Sequence, residues 1–298
     1  MTTTVNALEG ELLDVFARYT GTLGDPWRSG LEFSPQLRIT ENGQVVGLDD
    51  GLRRTITDGM AEPALAVADV ATSTAAGWGL VRDAGAEFLL GTRLTVDPGG
   101  RITEIEHLAL RRPPMRAAAF ADHLRRRLTF GRLPDDDVPT RDSLVAAAHG
   151  YFDGVAGNDP QLIPAAPGCL RFEDGLQTVL NPGRDGIPPS FPVGGDLIGL
   201  SVTDQVASGS FQYIEAIRDR APLAIDERRG LVLMRVFFDH PGQLRGSGYR
   251  SPLATPNTMM IWEFFRVEGG QIRHIEAIHA TFPYGMQAGW PGPDTEMR

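Results

Sequence analysis

The chain has 298 residues, 42% of them hydrophobic, which suits about two domains with ordinary cores. All 28 of its basic Lys+Arg positions are arginines, and against 38 acidic residues they leave a net charge of −10. A lysine-free acidic chain has no Schiff-base amine, no P-loop lysine and little attraction for phosphate backbones or anionic lipid, so neither nucleic acid nor a membrane surface is an expected partner.

The one cysteine, Cys169, permits no intrachain disulfide and no cysteine-based zinc site, and reads as a small buried residue. The first ten residues, M-T-T-T-V-N-A-L-E-G, carry neither a basic nor an apolar region, and no apolar run approaches bilayer length. A cytoplasmic location is expected.

In chain order, Leu8, Leu12, Val15, Phe16 and Tyr19 fall at helical spacing, with Asn6 and Glu9 as a candidate capping box. Leu37–Gly43 reads as a short strand entering an Asn42-Gly43 turn. Ala75–Val81, Glu87–Val96 and Arg101–Leu110 read as strands, the last two joined by Asp97-Pro98-Gly99-Gly100. Ala117–Leu128 reads as a helix, and Pro134–Pro139 as a polar linker.

Beyond the linker the pattern starts again. Leu144, Ala148, Tyr151, Phe152 and Val155 repeat the helix stripe. Leu170–Gly175 answers Leu37–Gly43, and Gly270–Glu276 answers Gly100–Glu106 with Ile, Ile and Glu in register. The expectation is an internal duplication of an α+β unit. Residues 1–115 form the first unit, 116–140 a linker helix and loop, and 141–298 the second unit. Only the second copy carries two long Pro/Gly-rich insertions, Asn181–Gly199 and Pro241–Asn257, so the active pocket is expected there.

Gly230–His240, G-L-V-L-M-R-V-F-F-D-H, is the most informative strand. Val232, Met234, Val236, Phe238 and His240 share one face; Leu231, Leu233, Arg235, Phe237 and Asp239 share the other. An apolar face ending in an imidazole describes either a pocket with a proton-transfer group at its rim or a strand end reaching solvent. Arg171 lies two residues from Glu173 on one strand face and either holds it ionised for chemistry or ties a turn. Ser210–Arg220 reads as a helix that puts Arg218 among core positions, for an oxyanion or for a carboxylate partner. Tyr213, Tyr249, Trp262, Tyr284 and Trp290 are aromatic candidates for stacking on a substrate. His274 and His279 face apart on one strand, no G-x-G-x-x-G follows a strand, and neither a metal nor another cofactor is expected.

A helix followed by a sheet that ends in G-x-I-x-x-I-E resembles the nuclear transport factor two-like superfamily, including SnoaL-like polyketide cyclases and ketosteroid isomerase. The segments that carry the resemblance are Glu41–Gly43, Arg171–Thr178, Asp226–Val232, Phe238–His240 and Pro283–Trp290. The resemblance implies two tandem cone-shaped units of helix plus curved antiparallel sheet. It also implies Tyr151 as a helix tyrosine donating to a substrate oxygen. The superfamily includes cofactor-free lyases that dehydrate lignin-derived diarylpropanes and release formaldehyde. The expected activity is a cofactor-independent lyase acting on a small hydroxylated aromatic molecule. His240 is the base, Asp239 and Glu173 orient or relay, and Tyr151, Tyr213 or Arg218 stabilise negative charge on oxygen. An isomerase, an epoxide hydrolase or a non-catalytic binder of a small apolar molecule is the alternative, and a homo-oligomer is compatible with each.

Overall fold

In a computed structural model, which describes residues 2–25, 29–111, 128–187, 195–242 and 253–290, the alternating segments become two sheets. Helix α1 (Thr2–Gly21) lays Leu12, Phe16 and Tyr19 on the first sheet. That sheet contains β1 (Phe33–Glu41), β2 (Gln44–Val46), β3 (Ile56–Asp58), β4 (Leu65–Asp69), β5 (Thr74–Asp83), β6 (Ala86–Val96) and β7 (Ile102–Leu110). Its order is β2-β1-β7-β6-β5-β3, with β4 also on β5. Asn42 and Gly43 both take positive φ, as a two-residue hairpin between β1 and β2 requires. Asn6 lies inside α1 rather than capping it, because the helix already starts at Thr2.

The second unit opens with α2 (Arg141–Gly157). Thr140 caps it by accepting from the Ser143 amide, and left-handed Asn158 ends it. There follow β8 (Ala165–Glu173), β9 (Leu176–Gln177), the short helices α3 (Gly195–Ile198) and α4 (Val202–Ala207), β10 (Ala216–Asp226), β11 (Leu231–His240), β12 (Asn257–Glu268) and β13 (Gln271–Pro283). The order, β9-β8-β13-β12-β11-β10, repeats β2-β1-β7-β6-β5-β4. In each sheet a single pair, β1/β7 or β8/β13, runs parallel and every other pair is antiparallel. The fold is α+β, two sheets each with its own helix. The repeat reaches single hydrogen bonds: Asn42 Oδ1 accepts from the Ala109 amide at 2.8 Å, and Asp174 Oδ1 from the His279 amide at 3.0 Å.

Ser210–Arg220 departs from the helix expected there. Helix α4 stops at Ala207, Gly209 takes positive φ, and the chain turns and enters β10, where Ile217 pairs with Phe238. The apolar spacing of Phe211, Ile214 and Ile217 suits a helix, but the open edge of β11 supplies a ladder from Ala216 to Asp226, twice shifted in register, and wins. Most of the linker helix at 117–128 lies outside the described residues. No helix among the described residues is long and apolar enough to cross a membrane.

The sheets pack back to back. Leu231, Leu233, Phe237, Met260, Trp262, Phe264 and Ile278 of the second meet Leu65, Trp78, Leu89 and Leu108 of the first. Trp262 fits only because residue 91 is glycine: a Cβ there would lie 2.8 Å from the indole. A fully buried indole removes on the order of 200 Å² from water, contributing roughly 5 kcal/mol before ordering costs. Ion pairs cross between the units as well. Arg235 Nη1 bonds both oxygens of Glu106 at 2.8 and 2.9 Å, and Arg141 bonds Asp69 at 2.9 and 2.7 Å. Glu106, which recurs as Glu276 in the second copy, is thus a structural residue; Glu276 itself bonds His274 at 2.8 Å. The other face of each sheet holds its helix: Val232, Met234, Val236 and Phe238 pack under α2, as the alternation along β11 predicts.

Candidate active site

Between α2, the inner face of β11–β13 and the turn at Phe211–Ile214 lies a cavity of about 150 Å³. Its walls are apolar, supplied by Val155, Phe238, Met259 and Ile261 among others, and its polar groups gather at two ends.

One end is His240, the last residue of β11. Its Nδ1 is buried with no hydrogen-bond partner, and the Tyr213 ring stacks on the imidazole at 5.5 Å between centroids and 20° between planes. Burial pushes its pKa down to about 4, against an opposing side-chain interaction in which Asn257 accepts from the ring. At neutral pH the ring is therefore uncharged and retains a lone pair.

The other end collects Tyr151 from α2, Glu173 at the end of β8, Glu263 from β12 and His279 from β13. Behind them Arg171 fans out fully: Nε lies 2.9 Å from Glu173, Nη1 donates to Tyr151 at 3.3 Å and Nη2 to Gln205 at 2.6 Å. His279 Nδ1 lies 3.1 Å from Asp174. Burial opposes charge on His279, but Asp174 overrides it and holds the pKa up at about 9. Glu263 has a Tyr151 hydrogen bond and the Arg171 and His279 charges to stabilise its carboxylate, and burial outweighs them. Burial pushes it up to about 8, the Arg171 charge opposing and the Glu173 charge reinforcing. Two cations, Arg171 and His279, thus balance two carboxylates, Glu173 and Asp174, and Glu263 stays a neutral carboxylic acid near pH 7.

The two ends are well separated. His240 pairs with Asn257 and Glu263 with Met234 on the same two strands. Both groups nonetheless line the same cavity, so a ligand held between them meets the imidazole at one end and the carboxyl at the other.

Of the residues singled out from the sequence, His240, Tyr151, Glu173 and Tyr213 line this cavity. Tyr249 lies outside the described residues. Five others are elsewhere. Asp239, one residue from His240, points to the opposite face of β11, where it accepts from Arg218 Nε at 2.6 Å and Thr258 Oγ1 at 2.5 Å. Arg218 also donates to the Met286 carbonyl at 2.7 Å, so both groups are spent on the back of the sheet. Trp262 alternates with Ile261 and Glu263 and belongs to the core between the units. Tyr284 is half exposed and donates to Glu215. Trp290 stacks under Arg38 and Arg93 of the first unit and donates to Thr40 at 2.8 Å.

Glu263, His279 and Asp174 were missed. The signal for Glu263 was present: in M-M-I-W-E-F-F a carboxylate shares a strand face with Ile261 and Phe265. The repeat carried the other two, since the Asn42–Ala109 turn bond of the first unit becomes Asp174–His279 in the second, adding two opposite charges to an inherited contact.

A family model described as a domain of unknown function (DUF8021) matches residues 137–279, from just before α2 to His279. No curated protein matches the chain. Among solved structures, AusH from Aspergillus nidulans is 14% identical, over 53% of this chain and 97% of that one, with a TM-score of 0.32. A proposed polyketide cyclase from Xanthomonas campestris pv. campestris is 14% identical, over 47% and 92%, at 0.31. An NTF2-like protein from Cytophaga hutchinsonii is 15% identical, over 48% and 99%, at 0.27.

Proposed function

We propose that the protein is a cofactor-independent lyase acting on a hydroxylated aromatic small molecule held in the second unit. The reading is carried by one observation: a neutral, partnerless imidazole nitrogen and a neutral carboxylic acid stand at opposite ends of one apolar cavity. A dry cavity of about this volume accommodates a benzene-sized guest. A base and an acid at opposite ends of one cavity act on two different positions of a guest. They can serve the two ends of an aromatic ring that carries a phenolic hydroxyl and, opposite it, a benzylic hydroxyl.

The step is a dehydration. His240 Nδ1 takes the phenolic proton, the ring's electrons shift, the benzylic C–O bond breaks, and the departing hydroxyl leaves as water with the Glu263 proton. A quinone methide is formed with no oxidant or reductant. Tyr151, beside Glu263, donates to the departing oxygen, and solvent exchange returns the proton from His240 to Glu263. Where the side chain also bears a hydroxymethyl group, its O–H proton passes to the phenolate oxygen and its C–C bond breaks, releasing formaldehyde and leaving an alkenyl phenol.

The test is mass spectrometry of products from para-hydroxylated benzylic alcohols, with a thiol to trap the quinone methide. Loss of water is expected, and the para-methoxy analogues should be inert. His240→Ala should lower turnover about 100-fold or more with the melting temperature unchanged. Unaltered turnover in that variant would remove the imidazole from the mechanism, and a product of unchanged mass would replace the lyase with an isomerase.

A further inference from the structure

The first unit holds a feature that the cavity of the second does not explain. Four arginines among the described residues are buried: Arg53, Arg171, Arg235 and Arg266. Three have carboxylate partners, namely Glu173, Glu106 and Glu268. Arg53 is only 6% exposed, yet its Nε, Nη1 and Nη2 are all buried without a hydrogen-bond partner. A guanidinium has five N–H donors and cannot shed its charge, so leaving most of them without a well-formed bond is among the costliest arrangements a fold can hold.

The surroundings narrow what would meet them. The Arg53 guanidinium carbon lies 5.7 Å from the ring centres of both Tyr19 and Phe33, so aromatic faces cover it and its fork of N–H groups is what remains. The Tyr19 hydroxyl bonds His107 Nε2 at 2.9 Å and also approaches the Arg53 guanidinium, and His107 Nδ1 bonds Thr92 at 3.1 Å. Burial and the nearby Arg53 charge keep His107 neutral, and the carboxylate charge felt by Arg53 comes from Asp49, exposed on the turn before it. Gly51, Arg54 and Thr55 on the same turn are exposed, which puts the guanidinium one side chain below the surface.

We propose that the first unit is a second binding site, in which Arg53 receives a small monocarboxylate through its planar fork, with Tyr19 and Phe33 flanking it. A planar, singly charged, two-oxygen acceptor matches the fork in geometry and in charge. This proposal stands apart from the lyase reading, since it uses no residue of the second unit's cavity.

The test is isothermal titration and thermal melting of the full chain with benzoate, benzamide and inorganic phosphate as probes. Saturable benzoate binding that raises the melting temperature is expected, with benzamide silent and phosphate at least about 10-fold weaker. Arg53→Met should abolish the benzoate effect while leaving the unliganded protein as stable as the parent, because no partner is stranded. Arg53→Lys, which keeps the charge and loses the fork, should bind benzoate at least about 10-fold more weakly. Benzoate binding that persists in Arg53→Met would place it in another cavity and overturn the proposal. So would the absence of any binding, equal affinity in Arg53→Lys, phosphate bound more tightly than benzoate, or loss of fold in Arg53→Met with no benzoate binding to the parent.

Discussion

Replacing Glu263 by Gln removes a titrating group while keeping the side chain's shape and a hydrogen-bond donor. Burial holds this carboxyl at about 8, against 4.5 for an ordinary glutamate. An acid whose pKa is raised by folding favours the fold fully below its unfolded pKa, and that advantage drains away as pH climbs to the folded value. Each pH unit in the window costs about 1.4 kcal/mol per proton. His279, held at about 9, loses its contribution in the same direction between pH 6.5 and 9. His240 and His107 work the other way. Burial holds them at about 4 and about 3, so the fold weakens as pH falls below 6.5 and the unfolded chain takes up their protons. Stability should therefore peak near pH 6.5 and then fall by roughly 2.7 kcal/mol per pH unit up to pH 8, as Glu263 and His279 act together. Over that interval the parent should lose about 4 kcal/mol and Glu263→Gln about half as much. Urea unfolding at half-unit pH steps, with the slope against urea checked for constancy, measures both. Equal pH slopes in the two proteins would mean that Glu263 is already ionised at pH 6.5, and the acid assigned to the dehydration would be lost with it.

Two further outcomes test the boundary between the sheets. Gly91→Ala sets a methyl 2.8 Å from the Trp262 ring, deep in the shared core, and should cost about 1–3 kcal/mol by urea unfolding; a neutral result would mean that the sheets slide apart freely. Arg235→Met strands the buried Glu106 carboxylate and should cost about 3–5 kcal/mol, most of it regained in the Arg235→Met, Glu106→Leu double variant; additive losses in a double-mutant cycle would show that the pair is not coupled.

Much of the architecture could be read from local pattern. The hairpin at Asn42-Gly43, the alternation along β11 and the recurrence of G-x-I-x-x-I-E each follow from a few neighbouring residues, and each has its counterpart in the strands. What local pattern could not decide was which side of a strand faced the cavity. Both faces of β11 are buried, one under α2 and one against the other sheet, so Asp239 and His240 look alike in the sequence though they serve different cores. Trp262 and Glu263 pose the same ambiguity, and the larger aromatic was the wrong choice. Ser210–Arg220 misled because three apolar side chains at helical spacing also suit a turn that leads into a strand. The Asp174–His279 pair joins residues distant in sequence and became visible only once β8 lay beside β13.

Because each sheet shields the other's outer surface, the two copies can no longer live apart. A chain trimmed to residues 137–279 would turn Leu233, Phe237, Trp262 and Phe264 outward to water, an oily wall that would seek another copy of itself. Fusion has made permanent what association between two separate chains would leave to concentration, and it has freed the helix side of each copy to specialise alone.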